Sequence, residues 1–134
     1  MNEVYSPSLE KRWQRGDGWR GIVPGRTAIK DAIQKLGGTC EVSEMINGFS
    51  FDFRQGLIRV TTIEQHGIVS KLWMSGDLTQ EKIIPETLND AETVFQNLRW
   101  VRHDVGTEIY ESDGVRLAAA AGSENGRIAW IELF

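Results

Sequence analysis

The sequence predicts an α+β fold of two tandem units, each a helix followed by an antiparallel meander of four short strands. Two observations predict it. Three glycines in the first half have counterparts about half a chain later: Gly48, Gly56 and Gly67, then Gly106, Gly114 and Gly126. Each trio follows a stretch in which apolar residues recur at helical spacing. A repeat of this length is typical of one structural unit made twice.

We expect the chain to form one compact body with three segments. An N-terminal arm covers residues 1–22, a first unit covers 23–76, and a second unit covers 77–134. The arm begins as a helix at Ser6, because serine is a good N-cap and Pro7 suits the first helical turn. It has no counterpart in the second half, so we expect it to pack across the two units.

The first unit begins with a one-sided helix that Thr27 would cap. Its apolar residues lie at i, i+3, i+4 and i+7: Ile29, Ala32, Ile33 and Leu36. Gly37 and Gly38 would end the helix. Four strands follow, near residues 40–46, 49–54, 57–64 and 68–74. Asn47-Gly48 is the strongest hairpin signal, because both residues tolerate the positive φ of a tight turn.

The second unit repeats this plan. Its helical stripe lies 62 positions after the first: Ala91, Val94, Phe95 and Leu98. The start could be capped either by Asn89 with Glu92 or by Thr87 with Asp90. Strands are expected near residues 100–104, 107–112, 115–121 and 127–133. The last strands of the two units, in contrast to the helices, align with an offset of 59 positions.

A single short helical layer covers only one face of a sheet, so the other face should be open. Alternation along the strands points Phe51 and Leu72 toward the helices. Six residues should then lie on the open face as protein-binding candidates: Arg59, Lys71, Trp73, Arg116, Trp130 and Glu132. Exposed tryptophans flanked by cations are typical of interface hot spots. The spacing leaves open whether the two half-sheets are continuous.

Other reactive residues have structural interpretations. Trp13, Trp19 and Trp100 are expected in the core or against the arm, and Cys40 as a small buried hydrophobe. His66 and His103 have no carboxylate or cysteine at metal-ligand spacing. We therefore predict no metal, no cofactor and no catalytic residue, and we expect the protein not to be an enzyme.

Composition restricts which classes of partner and which cellular compartment we expect. The formal net charge is -4, whereas nucleic-acid-binding domains carry a strongly basic surface, so DNA and RNA are excluded. No run approaches eighteen apolar residues, which excludes a membrane-spanning helix. With Cys40 as the single cysteine, no disulfide forms within the chain, which favours a reducing compartment and a cytoplasmic protein.

The stretch that opens the first unit carries a family resemblance. Ile22 to Thr27 reads Ile-Val-Pro-Gly-Arg-Thr, and a helix with Asp31 and a closing Leu36-Gly37 follows. This resembles the opening motif of the BamE-type outer-membrane assembly lipoproteins, and the tandem plan is similar to that of the beta-lactamase-inhibitory proteins. The resemblance implies recognition of a protein partner. The chain departs from both groups in its one internal cysteine.

Three functions follow as hypotheses. The first is a noncatalytic protein-binding module, such as an inhibitor or immunity protein, that acts through the open sheet face. The second is a small-molecule-binding or weakly hydrolytic domain with a cleft between the units. The third is a homodimer formed through the sheet face, so that the protein is either a monomer or a homodimer.

Overall fold

The computed structural model describes residues 13–78, 85–122 and 125–134. Within these ranges the chain forms two α-helices, α1 (Ile29–Lys35) and α2 (Leu88–Val94), and a short 3-10 turn at Arg54–Gly56. Four strands follow α1: β1 (Glu41–Met45), β2 (Gly48–Phe53), β3 (Ile58–Thr62) and β4 (Val69–Ser75). Four more follow α2: β5 (Arg99–Asp104), β6 (Thr107–Ser112), β7 (Val115–Ala120) and β8 (Ile128–Leu133).

The eight strands form one antiparallel sheet in the order β1-β2-β3-β4-β8-β7-β6-β5. The predicted α+β class is therefore confirmed, and the question of sheet continuity is answered. Every strand begins and ends within two residues of its expected position. In the described ranges, no helix is both long and apolar enough to cross a membrane.

Dense local packing divides the chain into two compact units, which we call the α1 unit and the α2 unit. The α1 unit consists of Gly16–Met74 with Glu132–Phe134. The described part of the α2 unit consists of residues 13–15 and the described residues of the range Ser75–Ile131. The predicted helix start at Ser6 lies outside the described residues.

The core of the α1 unit follows the predicted alternation. Ile29, Ala32 and Leu36 of the helical stripe are buried. Buried strand residues lie at alternate positions of β2, β3 and β4: Phe51, Phe53, Ile58, Val60, Leu72 and Met74. Trp19 is also buried, as expected, and forms an isolated bridge with Ile22. Burial of these apolar side chains is the main source of stability in a unit this small.

The start of α1 differs from the expectation. Thr27 is not the N-cap, because its Oγ1 accepts a hydrogen bond from the Val23 N–H at 2.8 Å. Ala28 occupies the cap position and offers no side-chain acceptor. The N–H of Ile29 donates to the Gly67 carbonyl at 3.0 Å instead. A backbone group from a distant loop thus satisfies a donor that a helix start leaves unpaired.

The start of α2 confirms one of the two predicted caps. Thr87 Oγ1 accepts from the Asp90 N–H at 3.3 Å, whereas the Asn89 N–H donates to Asn125 Oδ1. The N–H of Leu88 also donates to the Gly126 carbonyl at 2.9 Å. The threonine cap and the backbone contact therefore act together here.

The predicted offset of 62 between the two helices is wrong. The buried residues of the second helical stretch are Leu88, Ala91 and Phe95, each 59 positions after its buried counterpart in the first: Ile29, Ala32 and Leu36. A displacement of three residues is close to one helical turn of 3.6 residues, so the shifted stripe keeps nearly the same spacing. The helix ends at Val94. The next residue, Phe95, packs edge-on against Trp13, with 5.3 Å between the two ring centres.

The β1–β2 hairpin also differs from the expected turn. Met45 pairs with Gly48, so Ile46 and Asn47 form the two-residue loop and Gly48 begins β2. A Cβ atom on Gly48 would lie 2.1 Å from the Thr62 carbonyl oxygen. This glycine is required by close packing of two backbones, since no side chain fits there.

Candidate binding groove

An open groove with a volume of about 750 Å³ lies on the α1 unit. It collects the tip of the β1–β2 hairpin, one face of β3 and β4, and one residue near the C-terminus. The lining residues are Met45, Ile46, Asn47, Gly48, Phe49, Arg59, Thr61, Thr62, Ile63, Ser70, Lys71, Trp73 and Glu132. Four of the six predicted binding residues are among them: Arg59, Lys71, Trp73 and Glu132.

Strand register places Arg59 and Trp73 on the floor of the groove, with Asp52 beside them. Asp52, Arg59 and Trp73 lie side by side on β2, β3 and β4, because Asp52 pairs with Arg59 and Arg59 pairs with Trp73. Residues paired in this way have side chains on the same face of the sheet. Their order across three strands therefore places a carboxylate, a guanidinium and an indole in a row.

The Arg59 guanidinium is held from two sides. Its Nε lies 3.0 Å from Asp52 Oδ1 and its Nη2 lies 3.4 Å from Asp52 Oδ2. Its central carbon lies 5.8 Å from the centre of the Trp73 ring. The Ser50 hydroxyl donates to Asp52 Oδ1 at 2.9 Å and fixes the carboxylate in turn. An ion pair this exposed contributes about 0–1 kcal/mol, so its main effect is to orient Arg59.

Lys71 lies in the groove next to a β-bulge, two positions from Trp73 and on the same face of β4. The pairing moves from Thr61–Lys71 to Thr62–Val69, so Ser70 has no partner on β3. The Ser70 hydroxyl donates to the Thr61 carbonyl at 3.0 Å and holds the bulge. Lys71 is exposed and makes no ion pair with any residue that the structure describes. Its ammonium group is therefore available to an anionic partner group.

The hairpin end of the groove is apolar. Ile46 is 99% exposed, Ile63 is 72% exposed and Met45 is half-exposed. The same tip borders a second hollow of about 370 Å³ that is also lined by Phe49. Large apolar side chains gathered at one surface are typical of interaction sites. The groove thus combines an apolar end with a floor that carries the charged side chains of Arg59, Lys71 and Glu132 beside the Trp73 indole.

The other two predicted residues lie on the α2 unit and do not line this groove. Arg116 forms an ion pair with Glu111, with Nε 2.6 Å from Oε2. Trp130 is half-buried in β8, and its neighbour Ile131 is fully buried. Alternation from Trp130 to Leu133 in β8 therefore has the predicted phase.

A polar cluster on β5 and β6 was not predicted. Glu108 Oε1 accepts from Trp100 Nε1 at 2.8 Å, and its Oε2 lies 2.8 Å from His103 Nδ1. These hydrogen bonds, chiefly the one from Trp100, lower the pKa of Glu108. Trp100 is 56% exposed, so its expected place in the core or against the arm is wrong. The pairing of His103 with Glu108 across the hairpin is the signal that could have located it.

Cys40 is the remaining candidate nucleophile among the described residues. Cys40 is half-buried instead of buried, and burial, followed by the negative charge of Asp52, raises the pKa of its thiol. A raised pKa disfavours the reactive thiolate. Among the described residues, no three His, Cys, Asp or Glu side chains are close enough to hold a metal ion.

Comparison with known proteins adds no assignment, since no protein-family model, curated protein or solved structure matches this chain.

Proposed function

We propose that this chain is a noncatalytic binding protein that holds a segment of a partner protein in the groove of the α1 unit. The observation that carries the proposal is the convergence of four outward residues on one groove with an exposed apolar tip. Interface hot spots combine aromatic and arginine side chains in this way. Each of these features favours recognition of a protein surface.

The chemistry of the groove indicates what the partner segment carries. Lys71 has no anionic partner in the described residues, and Arg59 still exposes about half of its side chain. Met45, Ile46 and Ile63 offer apolar area at the other end. A segment with a carboxylate a few residues from a bulky apolar side chain satisfies both ends. The carboxylate supplies specificity, and the apolar side chain supplies most of the affinity.

The finer features of the fold belong to the same proposal. We take the order of one helix and four strands, found twice, as two tandem units preceded by an N-terminal arm. This is the plan that the chain resembles in the beta-lactamase-inhibitory and BamE-type proteins, which favours an inhibitor or immunity role. Arg116 and Trp130 are candidates for a further contact on the α2 unit. The single cysteine favours a cytoplasmic location.

Selection of peptides from a random displayed library on the immobilised protein tests the groove directly. We expect the selected sequences to pair Asp or Glu with a nearby large apolar residue. Their affinities for the wild type and for Lys71→Glu can be compared by fluorescence anisotropy. We expect the substitution to weaken binding at least tenfold, which corresponds to about 1.4 kcal/mol.

Lys30→Glu is the matched control, because it makes the same charge change at an exposed position of α1 outside the groove. It should leave the affinity within about twofold of the wild type, since screened surface charges act weakly at a distance. Trp73→Ala should weaken binding as much as Lys71→Glu. Equal affinities for all of these variants would remove the groove as the binding site.

A further inference from the structure

The two outer strands of the sheet, β1 and β5, are exposed along their whole length. Only β1 pairs with its neighbour without a shift in register. In β5 the register shifts between Trp100 and Arg102, so Val101 has no partner on β6. In β1 the register runs unbroken from Glu41–Asp52 to Met45–Gly48. Bulges and clustered charges protect an edge from pairing with another strand. The β5 edge has such protection, whereas β1 presents a straight edge.

The hairpin loop determines which backbone groups of β1 point outward. Because only two residues separate Met45 from Gly48, this pair must exchange both of its hydrogen bonds. Hydrogen-bonded and non-hydrogen-bonded pairs alternate along an antiparallel ladder. Ser43 and Glu41 therefore also bond to β2. The N–H and C=O groups of Val42 and Glu44 point away from β2, and no other strand among the described residues pairs with them.

We propose that two copies of this chain associate by antiparallel pairing of β1 with β1, with the two-fold axis at Ser43. In this register Val42 lies opposite Glu44 of the second copy, and Glu41 lies opposite Met45 of the second copy. The outward groups of Val42 and Glu44 then form four intermolecular hydrogen bonds. The two sheets continue into each other through the contact.

Charge and geometry select this register. If the pairing shifted by one residue, the core face of one copy would lie on the same side as the solvent face of the other. Only shifts by an even number of residues are therefore compatible with the fold. The even slip toward the C-terminus places Glu44 directly opposite its own copy, which is unfavourable. The even slip toward the N-terminus keeps only three of the five residue pairs of β1. Centring on Ser43 keeps all five and opposes no like charges.

This association uses the edge of β1, whereas the groove floor lies on β3 and β4, and of the β1 residues only Met45 belongs to both. Its contact area is that of a single strand, which is small for a protein interface. We therefore expect a weak dimer whose population rises with protein concentration. A monomer at every concentration accessible to sedimentation equilibrium would overturn the proposal.

Cysteine cross-linking tests the register. In a Cys40→Ser background, Ser43→Cys places two thiols at a non-hydrogen-bonded pair, where the Cα atoms are about 4.5 Å apart. This distance is within the range that a disulfide spans. Glu41→Cys is the matched control on the same strand, because its two copies would lie about 13 Å apart at roughly 3.3 Å per residue.

We expect Ser43→Cys to form the disulfide dimer at least about tenfold faster than Glu41→Cys under the same mild oxidant, a rate ratio equal to about 1.4 kcal/mol. Equal rates would mean random collision and would overturn the proposal. Ser43→Lys gives a second measurement, since it places two ammonium groups opposite each other at the axis. Its average mass in sedimentation equilibrium should remain that of the monomer, whereas Ser43→Ala should match the wild type. A wild-type mass for Ser43→Lys would also overturn the proposal.

Discussion

The helices of the two units begin on the same backbone contact but differ in their caps. The first N–H of α1 donates to the Gly67 carbonyl, and the first N–H of α2 donates to the Gly126 carbonyl. The cap position is Ala28 in one and Thr87 in the other. In α1 the loop carbonyl is therefore enough to start the helix without a side-chain cap. In α2 the Thr87 hydroxyl adds a second stabilising contact.

The units also share a carboxylate–arginine pair across neighbouring strands. Asp52 pairs with Arg59 in the α1 unit, and Glu111 pairs with Arg116 in the α2 unit. Arg116 is the less exposed arginine, with 32% of its side chain exposed against 47% for Arg59. The same pairing therefore leaves about half of the Arg59 side chain exposed in the groove, whereas Arg116 is packed more closely against the protein.

The largest predicted difference in stability is between glycines at two hairpins, Gly48 and Gly106. Gly48→Ala should destabilise the protein by about 3 kcal/mol, because the new Cβ would meet the Thr62 carbonyl oxygen and neither backbone can move freely. Gly106 has φ +73 but open space around it, so Gly106→Ala should cost only about 1 kcal/mol. Urea denaturation of both variants measures the difference. Equal losses would show that the close approach at Gly48 relaxes easily.

Exchanging the caps should make the two helix starts alike. Thr87→Ala should cost about 1 kcal/mol, because the Asp90 N–H loses its side-chain acceptor. Ala28→Thr should increase the free energy of unfolding by only about 0.5 kcal/mol, because the Asp31 N–H already donates to the Ala28 carbonyl at 3.0 Å and the new hydroxyl would share this donor. Thermal denaturation of the two variants gives both values. A loss of stability in Ala28→Thr would contradict the equivalence of the two positions.

A double-mutant cycle compares the two carboxylate–arginine pairs. The variants Asp52→Ala and Arg59→Ala, alone and combined, should give a coupling energy of about 0.5 kcal/mol. Glu111→Ala with Arg116→Ala should give up to about 1 kcal/mol, because that pair is shorter and less exposed. Chemical denaturation at low salt is the measurement. A larger coupling for Asp52 with Arg59 would mean that Trp73 strengthens that pair.

The smallest effect concerns the Trp100–Glu108–His103 cluster, which has no counterpart on β1 and β2 of the α1 unit among the described residues. The pKa of Glu108 lies below its usual value of about 4.3 in the folded state. Its contribution to stability is therefore present above that value and is lost as the pH falls through the lowered pKa. Trp100→Phe should raise the pKa toward the usual value. Carboxyl titration by NMR measures it, and an unchanged pKa would assign the effect to His103.

Much of the local structure was predictable from the sequence. Alternation of apolar residues places Phe51 and Leu72 inward and Trp73 outward, and this is confirmed by their burial. The Thr87 cap was among the two predicted alternatives. The helix offset was not predictable, since a stripe displaced by three residues has almost the same spacing. The exposure of Trp100 was missed because a tryptophan in a strand is more often buried than bonded to a surface carboxylate.

The sequence by itself determined the α+β class, the order of helices and strands, and the faces on which Phe51, Leu72 and Trp73 lie. These features depend on residues close together in the chain, through side-chain periodicity and turn chemistry. Only the tertiary structure decided that the Gly67 carbonyl accepts from the first N–H of α1, that a bulge forms at Ser70, and that Arg59 lies between Asp52 and the Trp73 indole. Each of these depends on contacts between segments that folding brings together, such as the register of neighbouring strands.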